Sequence, residues 1–404
     1  MGVVGVFAFA LAIATSIALH EAGHMFAARA FGMRVRRYFI GFGPTLWSTK
    51  RGNTEYGVAA LPFGGFCDIA GMTAMDPVTP EEAPHAMVNK PAWQRITVLA
   101  GGIFMNLLIG VVITYLVAVS SGIPNPYADT TPRVGELACV SDQVDATTLA
   151  DCTGDGPAAA AGVKPGDVLD SVDGQHLDTF EQLRDYVVAR PGEQVELTVL
   201  RGGSPVTLDL HVGEVERINP QTGERFTAGA VGIQAAPIAD AFKRFGPVEA
   251  VPATARFTGA MLSATIDGII SFPSKIPGVV ASLFGAERDV EGPVSVIGAS
   301  RAGGEFVAQD QWAGFWMMLA NLNFFLALFN LVPLPPLDGG HIAVVIYEKL
   351  RDAFRRLRGL PPGPPANYEK LMPLTIAMAA LLLGVGVLVM AADVVNPVRL
   401  FGAG

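Results

Sequence analysis

Four long apolar segments, separated by polar ones, dominate the pattern of hydrophobic and polar positions along the chain. Each contains roughly the 20 apolar residues that an α-helix needs to cross a bilayer. The first begins at Val3 and shows no basic region or cleavage site before it, so we expect a retained span rather than a signal peptide. The pattern predicts a polytopic α-helical membrane protein with four transmembrane helices, at 1–31, 93–121, 311–341 and 371–395.

Two further regions have the alternation typical of β-strands. In residues 38–72 it occurs on both sides of the turn sequence KRGN, which predicts a β-hairpin. Within residues 132–236, the stretches VLDSVDG, VELTVL and VTLDL read as strands. Between the first two of these strands, Phe180, Leu183 and Val187 share one face of a predicted helix. We therefore expect an α+β domain inserted between the second and third spans.

The composition agrees with a membrane protein. Hydrophobic residues make up 50% of the chain, charged residues 16%, and the mean hydropathy is +0.40. A soluble protein typically carries about 25% charged residues. The overall charge of −9 is segregated along the chain, and we expect the lipid bilayer as a partner and no nucleic acid.

The distribution of charge predicts the orientation. Residues 29–95 contain eight Lys and Arg, and residues 342–371 contain six, whereas residues 122–310 contain 13 basic and 26 acidic residues. Short loops rich in Lys and Arg stay on the cytoplasmic side. The inserted domain is then extracytoplasmic, in a multi-pass protein of the cell's inner (plasma) membrane. Cys139 and Cys152 lie in that insertion, where a disulfide can persist, although their spacing also allows two unpaired thiols.

The strongest chemical signal lies at the end of the first span, in the sequence ALHEAGHM. His20 and His24 are four residues apart, so on a helix they share a face and can bind one metal ion, with Glu21 beside them as the catalytic base. The alternatives are a chance match and polar residues packed against another helix. Ionisable side chains in a span are costly and are usually functional. The ligand types indicate Zn²⁺, although iron or cobalt would also accept them.

A catalytic zinc ion usually has three protein ligands, so a third is expected from another span. Asp338 follows the third apolar segment in PLPPLDGGHI, where the Pro and Gly residues break a helix. Asp338 could instead be an ordinary turn residue, and His341 is a competing ligand. From Val3 to His20 a helix rises roughly 25 Å, which places the metal site towards the cytoplasmic side of the bilayer.

His20, Glu21, His24 and the LDGG sequence together resemble the site-2 protease family of intramembrane zinc metalloproteases, over nearly the whole chain. The resemblance implies that Asp338 is the third zinc ligand and that Asn330 holds the substrate backbone. A G-x-x-x-N motif corresponds to Gly102 and Asn106, although Ile103 stands where many members have proline. These glycines could also serve only as a helix contact.

The resemblance extends to the other elements. The 38–72 hairpin is similar to a membrane-associated hairpin that presents a strand edge to the unwound substrate, and a simple cytoplasmic hairpin is the alternative. Residues 132–236 resemble a circularly permuted PDZ domain, in which Val231, Gly232 and Ile233 form the loop for a peptide carboxylate. Such a domain could also only exclude large substrates. Residues 256–310 are expected to lie on the outer membrane surface.

The resemblance implies an endopeptidase that cleaves single-span membrane proteins, such as anti-sigma factors, in or near the membrane after a site-1 protease has trimmed them. An ion-coupled transporter is the main alternative, because broken helices with charged residues also form ion sites. A membrane scaffold that works through its PDZ-like domain is the third possibility.

Overall fold

The computed structural model describes residues 2–73, 75–145, 148–218, 224–286, 288–289 and 292–398. The chain forms two compact units, one from Met1–Ile123 with Arg244–Gly404 and one from Pro124–Lys243. The helices of the first unit are α1 (Gly2–Ala30), α2 (Ala92–Ser120), α5 (Ala250–Leu283), α6 (Val296–Ala308), α7 (Trp312–Leu331), α8 (Asp338–Leu357) and α9 (Tyr368–Val395). Helices α3 (Pro157–Ala160) and α4 (Phe180–Val188) belong to the second unit.

Four of the described helices are long and apolar enough to cross a bilayer: α1, α2, α7 and α9. They correspond to the four predicted spans, which are confirmed as candidate membrane helices. The third span is shorter than predicted, because α7 ends at Leu331 and the LDGG sequence begins a separate helix, α8. Pro333, Pro335 and Pro336 lie between the two helices, and each lacks the backbone N–H that a continuous helix would need.

Polar contacts join the apolar helices. The buried Asn323 of α7 donates a hydrogen bond from Nδ2 to Ser16 Oγ of α1, at 3.0 Å. Arg95 at the start of α2 forms a buried ion pair with Glu348 of α8, at 2.8 Å. In a low-dielectric interior a polar group is costly unless it is paired, so these contacts fix which helices are neighbours.

The predicted hairpin consists of β1 (Val35–Arg51) and β2 (Thr54–Ile69), which pair antiparallel with several register shifts. Together the strands cover residues 35–69, so the hairpin begins and ends three residues earlier than the predicted range 38–72. Phe39 stacks on Phe66 across the strands, with ring centroids 5.4 Å apart. In the half of the hairpin nearer the turn, Leu46 and Trp47 are exposed. Their exposure is compatible with a hairpin that contacts lipid.

The segment predicted at 256–310 contains two helices. The first, α5, is 34 residues long and includes Pro273 and Pro277. The second, α6, begins with Ser295, whose side chain accepts a hydrogen bond from the Gly298 N–H. Arg288, which precedes α6, forms a buried ion pair with Asp393 at the end of α9, at 2.9 Å. This pair holds α9 against the chain between α5 and α6.

The second unit is built around a four-stranded antiparallel sheet in the order β6-β5-β7-β8. Its strands are β5 (Val168–Val172), β6 (Gln175–His176), β7 (Gln194–Arg201) and β8 (Ser204–His211). Two strand pairs complete it, β4 (Val134–Leu137) with β11 (Ile233–Ala235) and β9 (Gly213–Ile218) with β10 (Arg225–Ala230). Two-residue strands, β3 (Ile123–Pro124) and β12 (Phe242–Lys243), stand at the two ends of the insertion.

The core of this unit follows the predicted periodicity. Leu183 and Val187 of α4 are buried, and Phe180 packs at the edge of the same cluster. Thr179 caps α4 through a reciprocal capping box with Gln182, which satisfies two N–H groups at the helix start. The observed elements are those expected for the inserted α+β region.

Cys139 and Cys152 form a disulfide in this unit, with Cα atoms 6.0 Å apart. The loop that they close lies along β9, where the Gln143 N–H donates to the Glu216 carbonyl and the Glu216 N–H donates to Asp142 Oδ1. The disulfide therefore tethers both ends of a segment that covers the edge of a strand.

We predict that replacing both cysteines, with Cys139→Ser and Cys152→Ser together, lowers the free energy of unfolding of this unit by about 3 kcal/mol, because a loop of this size gains that much chain entropy when it is opened. Differential scanning calorimetry of the full-length protein should show the transition of this unit at a lower temperature. Cys67→Ser is the control, because that thiol is unpaired. An unchanged transition in the double variant would contradict the prediction.

Candidate metal centre

Helix α1 brings His20 and His24 to the same face, one turn apart and directed into the protein. Both are buried, with 8% and 7% of their surface exposed. Their Nε2 atoms are 3.2 Å apart. A histidine pair at this spacing on a helix can offer both Nε2 atoms to one ion.

Asp338 completes a three-membered cluster with the two histidines. Its Oδ2 lies 3.3 Å from His20 Nε2 and 3.3 Å from His24 Nε2. The three atoms therefore form a nearly equilateral triangle. Among the described residues, this is the cluster of His, Cys, Asp and Glu side chains that could hold a metal ion. Asp338 is the first residue of α8, so the third member comes from the helix that follows the proline-rich break.

The triangle has the size that a zinc site requires. A tetrahedral ion bound at about 2.0–2.1 Å from each ligand atom separates those atoms by about 3.3 Å. The buried Oδ2 of Asp338 also has no hydrogen-bond donor of its own in the described structure. A buried carboxylate oxygen without a hydrogen-bond donor is expected where its partner is a cation rather than an N–H group.

The other ring nitrogens of both histidines have partners on α2. His24 Nδ1 donates to the carbonyl oxygen of Val98, at 2.8 Å. The side-chain amide of Asn106 lies 3.1 Å from His20 Nδ1. A histidine that donates from Nδ1 has its lone pair on Nε2, which is the atom directed at Asp338.

Gly102 of α2 lies against both imidazole rings. A Cβ atom at this position would be 2.4 Å from His24 Nε2 and 2.6 Å from His20 Nε2. Only glycine leaves room for the rings here. Along the same crossing, Gly23 and Gly101 bring the backbones of α1 and α2 into direct contact.

Glu21 lies beside the cluster and next to the hairpin. Its Cγ packs against Gly65 of β2, where an added Cβ atom would lie 3.3 Å away, and its carboxylate is close enough to act electrostatically on the Cys67 thiol of the same strand. Tyr38 of β1 donates a hydrogen bond to the Ala18 carbonyl of α1, at 2.5 Å. The hairpin is thus attached to α1 at the position of the metal cluster.

Tyr38 and Cys67 remain protonated near this site. Burial raises the pKa of the Tyr38 hydroxyl to about 12 and the pKa of the Cys67 thiol to about 12, and in both cases the nearby Glu21 carboxylate adds to the effect. Neither side chain carries charge at neutral pH, so neither competes with the carboxylates for a cation.

The competing ligand His341 is not part of the cluster. It lies one turn after Asp338 on α8, and its ring stacks on Tyr368 with centroids 6.1 Å apart. His341 lines a largely apolar cleft of about 790 Å³ between α8 and α9, next to Pro335, Pro336 and Gly340. The geometry therefore favours Asp338 over His341 as the third ligand.

The residues predicted to bind substrate are not members of the cluster. Asn330 is on the last turn of α7, and its Nδ2 donates to the Leu326 carbonyl at 3.0 Å. In the inserted unit, the Val231 carbonyl accepts from the Ala158 N–H, and the Gly232 carbonyl accepts from the Ala138 N–H. Ile233 begins β11. Their roles towards a substrate stay predictions.

Two features of the site were not predicted from the sequence. The Val98 carbonyl that orients His24 is a backbone group, which any residue could supply. The ion pair between Arg95 and Glu348 ties α2 to α8 ten residues beyond Asp338. Isolated charges near the ends of apolar segments could have suggested that such residues form ion pairs. They do not indicate which residue pairs with which.

The chain matches Peptidase family M50 over residues 8–359. It is 44% identical over 403 residues to zinc metalloprotease Rip1 of Mycolicibacterium smegmatis, covering 98% of this chain and 99% of that one. It is also 44% identical over 405 residues to zinc metalloprotease Rip1 of Mycobacterium tuberculosis, covering 99% and 100%. Metalloprotease MmpA of Caulobacter vibrioides is 29% identical over 377 residues, or 85% of each chain.

These similarities agree with the buried histidine–aspartate triangle and favour a protease over the transporter and the scaffold. The family match covers most of the chain, and the Rip1 relatives align with it almost from end to end. Together they establish the family. The chain belongs to peptidase family M50, the site-2 proteases, and is an intramembrane zinc metalloprotease.

Proposed function

We propose that His20, His24 and Asp338 hold the catalytic zinc ion and that Glu21 is the general base. The observation that carries this proposal is the triangle of His20 Nε2, His24 Nε2 and Asp338 Oδ2, with sides of 3.2 to 3.3 Å. Three protein ligands would leave the ion able to take a water or the substrate carbonyl as well, as a catalytic site requires.

When bound, the ion polarises the scissile carbonyl and lowers the pKa of its water towards roughly 7. Glu21 accepts a proton from the attacking water and returns it to the leaving amine. Val98 fixes His24 with its proton on Nδ1. A half-turn of the Asn106 amide places Oδ1, which has no hydrogen-bond partner among the described groups, where it accepts the Nδ1–H of His20.

We propose that the substrates are single-span membrane proteins, with anti-sigma factors as one class, already trimmed by a site-1 protease. A peptide bond in a helix must be unwound before it can be attacked. Strand β2 passes Glu21 at Gly65 and Cys67, so a substrate segment that adds to this hairpin as an extended strand would reach the base. Asn330, near the end of α7, would hold the backbone of that segment.

We further propose that the inserted unit is a PDZ-like domain on the extracytoplasmic side and that the site faces the cytoplasmic side of the inner membrane. The pairing of β4 with β11, the first and last strands of the motif, supports the circularly permuted arrangement. The N–H groups of the Val231–Ile233 loop would receive a peptide carboxylate. The net charge of the insertion and the basic loops support this orientation.

Glu21→Gln should retain bound zinc and lose peptidase activity by at least about 100-fold, because the amide cannot accept the proton of the attacking water. The measurement is zinc content together with cleavage of a pre-trimmed single-span substrate in detergent. Asp338→Asn should lose zinc as well as activity, and Glu55→Gln, on the hairpin, should keep both. Cleavage that survives in Glu21→Gln would remove Glu21 from the role of base.

Gly102→Ala should weaken zinc binding by at least about 10-fold, because the added methyl group would overlap both imidazole rings and displace them from their partners. Zinc retained during dialysis against a chelator measures the effect. Gly386→Ala is the matched control, since a Cβ atom there meets no other atom within 4 Å. Equal zinc retention in the two variants would show that the rings do not depend on the space at Gly102.

A further inference from the structure

Helix α8 has two faces, and the inner one is attached to the metal centre. Asp338, Val345 and Glu348 lie on this face, at intervals of seven and three residues. Val345 is buried in the cluster that includes Met25 of α1. Glu348 pairs with Arg95 and also accepts the Ala366 N–H, at 2.7 Å. The inner face therefore carries the proposed third zinc ligand and the contacts that orient it.

Beyond its first turn, the outer face of α8 is apolar and largely uncovered by the described residues, although Tyr347 at its edge also lines the cleft between α8 and α9. Of its 20 residues, Gly339 and Gly340 are buried in the first turn, where α8 packs on the end of α7, and beyond that turn only Val345 and Glu348, on the inner face, are buried. Opposite them runs a stripe of exposed large side chains: Ile346, Tyr347, Leu350, Phe354 and Leu357. Leu350 is 66% exposed and Leu357 is 86% exposed. In water, a stripe of this length would be costly and would favour association.

Basic side chains border the stripe on both sides. By helical spacing, Lys349 and Arg356 lie between the stripe and the line of Asp338, and Arg351 and Arg358 lie beyond its other edge. The Arg358 guanidinium lies 4.4 Å from the centre of the Phe354 ring. Within the described part of the chain, Lys349, Arg356 and Arg358 form no salt bridge. Long basic side chains beside exposed apolar ones are suited to a surface with an apolar interior and a negatively charged outer layer. The stems of the basic side chains lie along the apolar part, and their charged ends reach the outer layer.

The position of α8 in the chain agrees with such a surface. It connects the end of α7 with the beginning of α9, and both of these helices are long and apolar enough to cross a bilayer. A helix between two consecutive spans lies at the membrane face where the first ends and the second begins. An amphipathic helix at that face, with Lys and Arg along its apolar side, is typical of an interfacial helix on anionic lipid.

We propose that the α8 stripe, formed by Ile346, Tyr347, Leu350, Phe354 and Leu357, inserts into the headgroup region of a bilayer containing anionic phospholipids, and that this contact holds Asp338 in its place beside His20 and His24. This inference rests on the proposed role of Asp338 as a zinc ligand. Anionic lipid in the leaflet then stabilises the metal centre through one rigid helix whose first residue belongs to the site.

The experiment compares the full-length protein in nanodiscs of phosphatidylcholine alone with nanodiscs containing about 30% phosphatidylglycerol. The first readout is the rate at which a chelator removes zinc. The second is the emission of an environment-sensitive dye on Leu357→Cys, in a Cys67→Ser background, and its quenching by brominated lipid. The test variant combines Lys349→Gln with Arg356→Gln. The control removes the same charge from the inserted unit, with Lys164→Gln and Arg184→Gln.

We expect zinc loss to be at least about fivefold slower in phosphatidylglycerol nanodiscs for the wild type and the control, since each cation near an anionic surface contributes about that factor. The difference should shrink by at least about fivefold in the test variant, which has lost two of these cations. The dye should emit as in an apolar environment and be quenched by brominated lipid. A dye in water, a dye shielded from lipid by protein, or zinc loss that is equal in both lipids would overturn the proposal.

The outcomes also separate this inference from the proposed function. If Asp338→Asn retains zinc in both lipids, Asp338 is not a ligand and the proposed function is wrong. If Asp338→Asn loses zinc while the wild type behaves identically in both lipids, the metal centre stands and only the role of the lipid is wrong.

Discussion

The close crossing of α1 and α2 is the constraint on which the rest of the site depends. At Gly23 and Gly101 the two backbones touch, and a Cβ atom on Gly23 would lie 2.2 Å from the Gly101 carbonyl oxygen. This approach places the Val98 carbonyl and the Asn106 amide within reach of the two imidazole rings of α1. Bulkier residues would separate the helices, and both Nδ1 atoms would lose their partners. Small residues allow this kind of contact between membrane helices.

Paired polar groups then determine how the other helices join this crossing. The Asn323–Ser16 hydrogen bond sets α7 against α1, and the Arg95–Glu348 ion pair sets α8 against α2. Apolar contacts between membrane helices are weakly selective, because lipid tails solvate the same surfaces equally well. An unpaired buried charge is costly by comparison. The candidate metal centre is therefore assembled by a few polar contacts with specific partners, placed within largely apolar helices.

Much of this arrangement could be predicted from the sequence, and the limits have physical causes. Apolar length predicts the four candidate spans, and the spacing of His20 and His24 predicts a metal site without knowledge of the fold. The separate helix α8 was not predicted, because hydropathy merges the proline-rich break with the end of α7. The partners of Arg95 and Asp393 were also out of reach, since they lie 253 and 105 residues away along the chain. Pairing at such distances is decided by packing, which a local pattern does not record.

The two glycines after Asp338 explain how the proposed third ligand can come from the beginning of a helix. A Cβ atom on Gly339 would lie 2.3 Å from the Leu331 carbonyl oxygen, and one on Gly340 would lie 2.7 Å from the Leu334 carbonyl carbon. The first turn of α8 can therefore pack directly on the last turn of α7 and the chain after it. This contact folds the polypeptide back sharply enough for Asp338 to reach the histidines of α1. The LDGG sequence thus combines the proposed ligand with the space needed to bring it to the histidines, and neither part would form the site without the other.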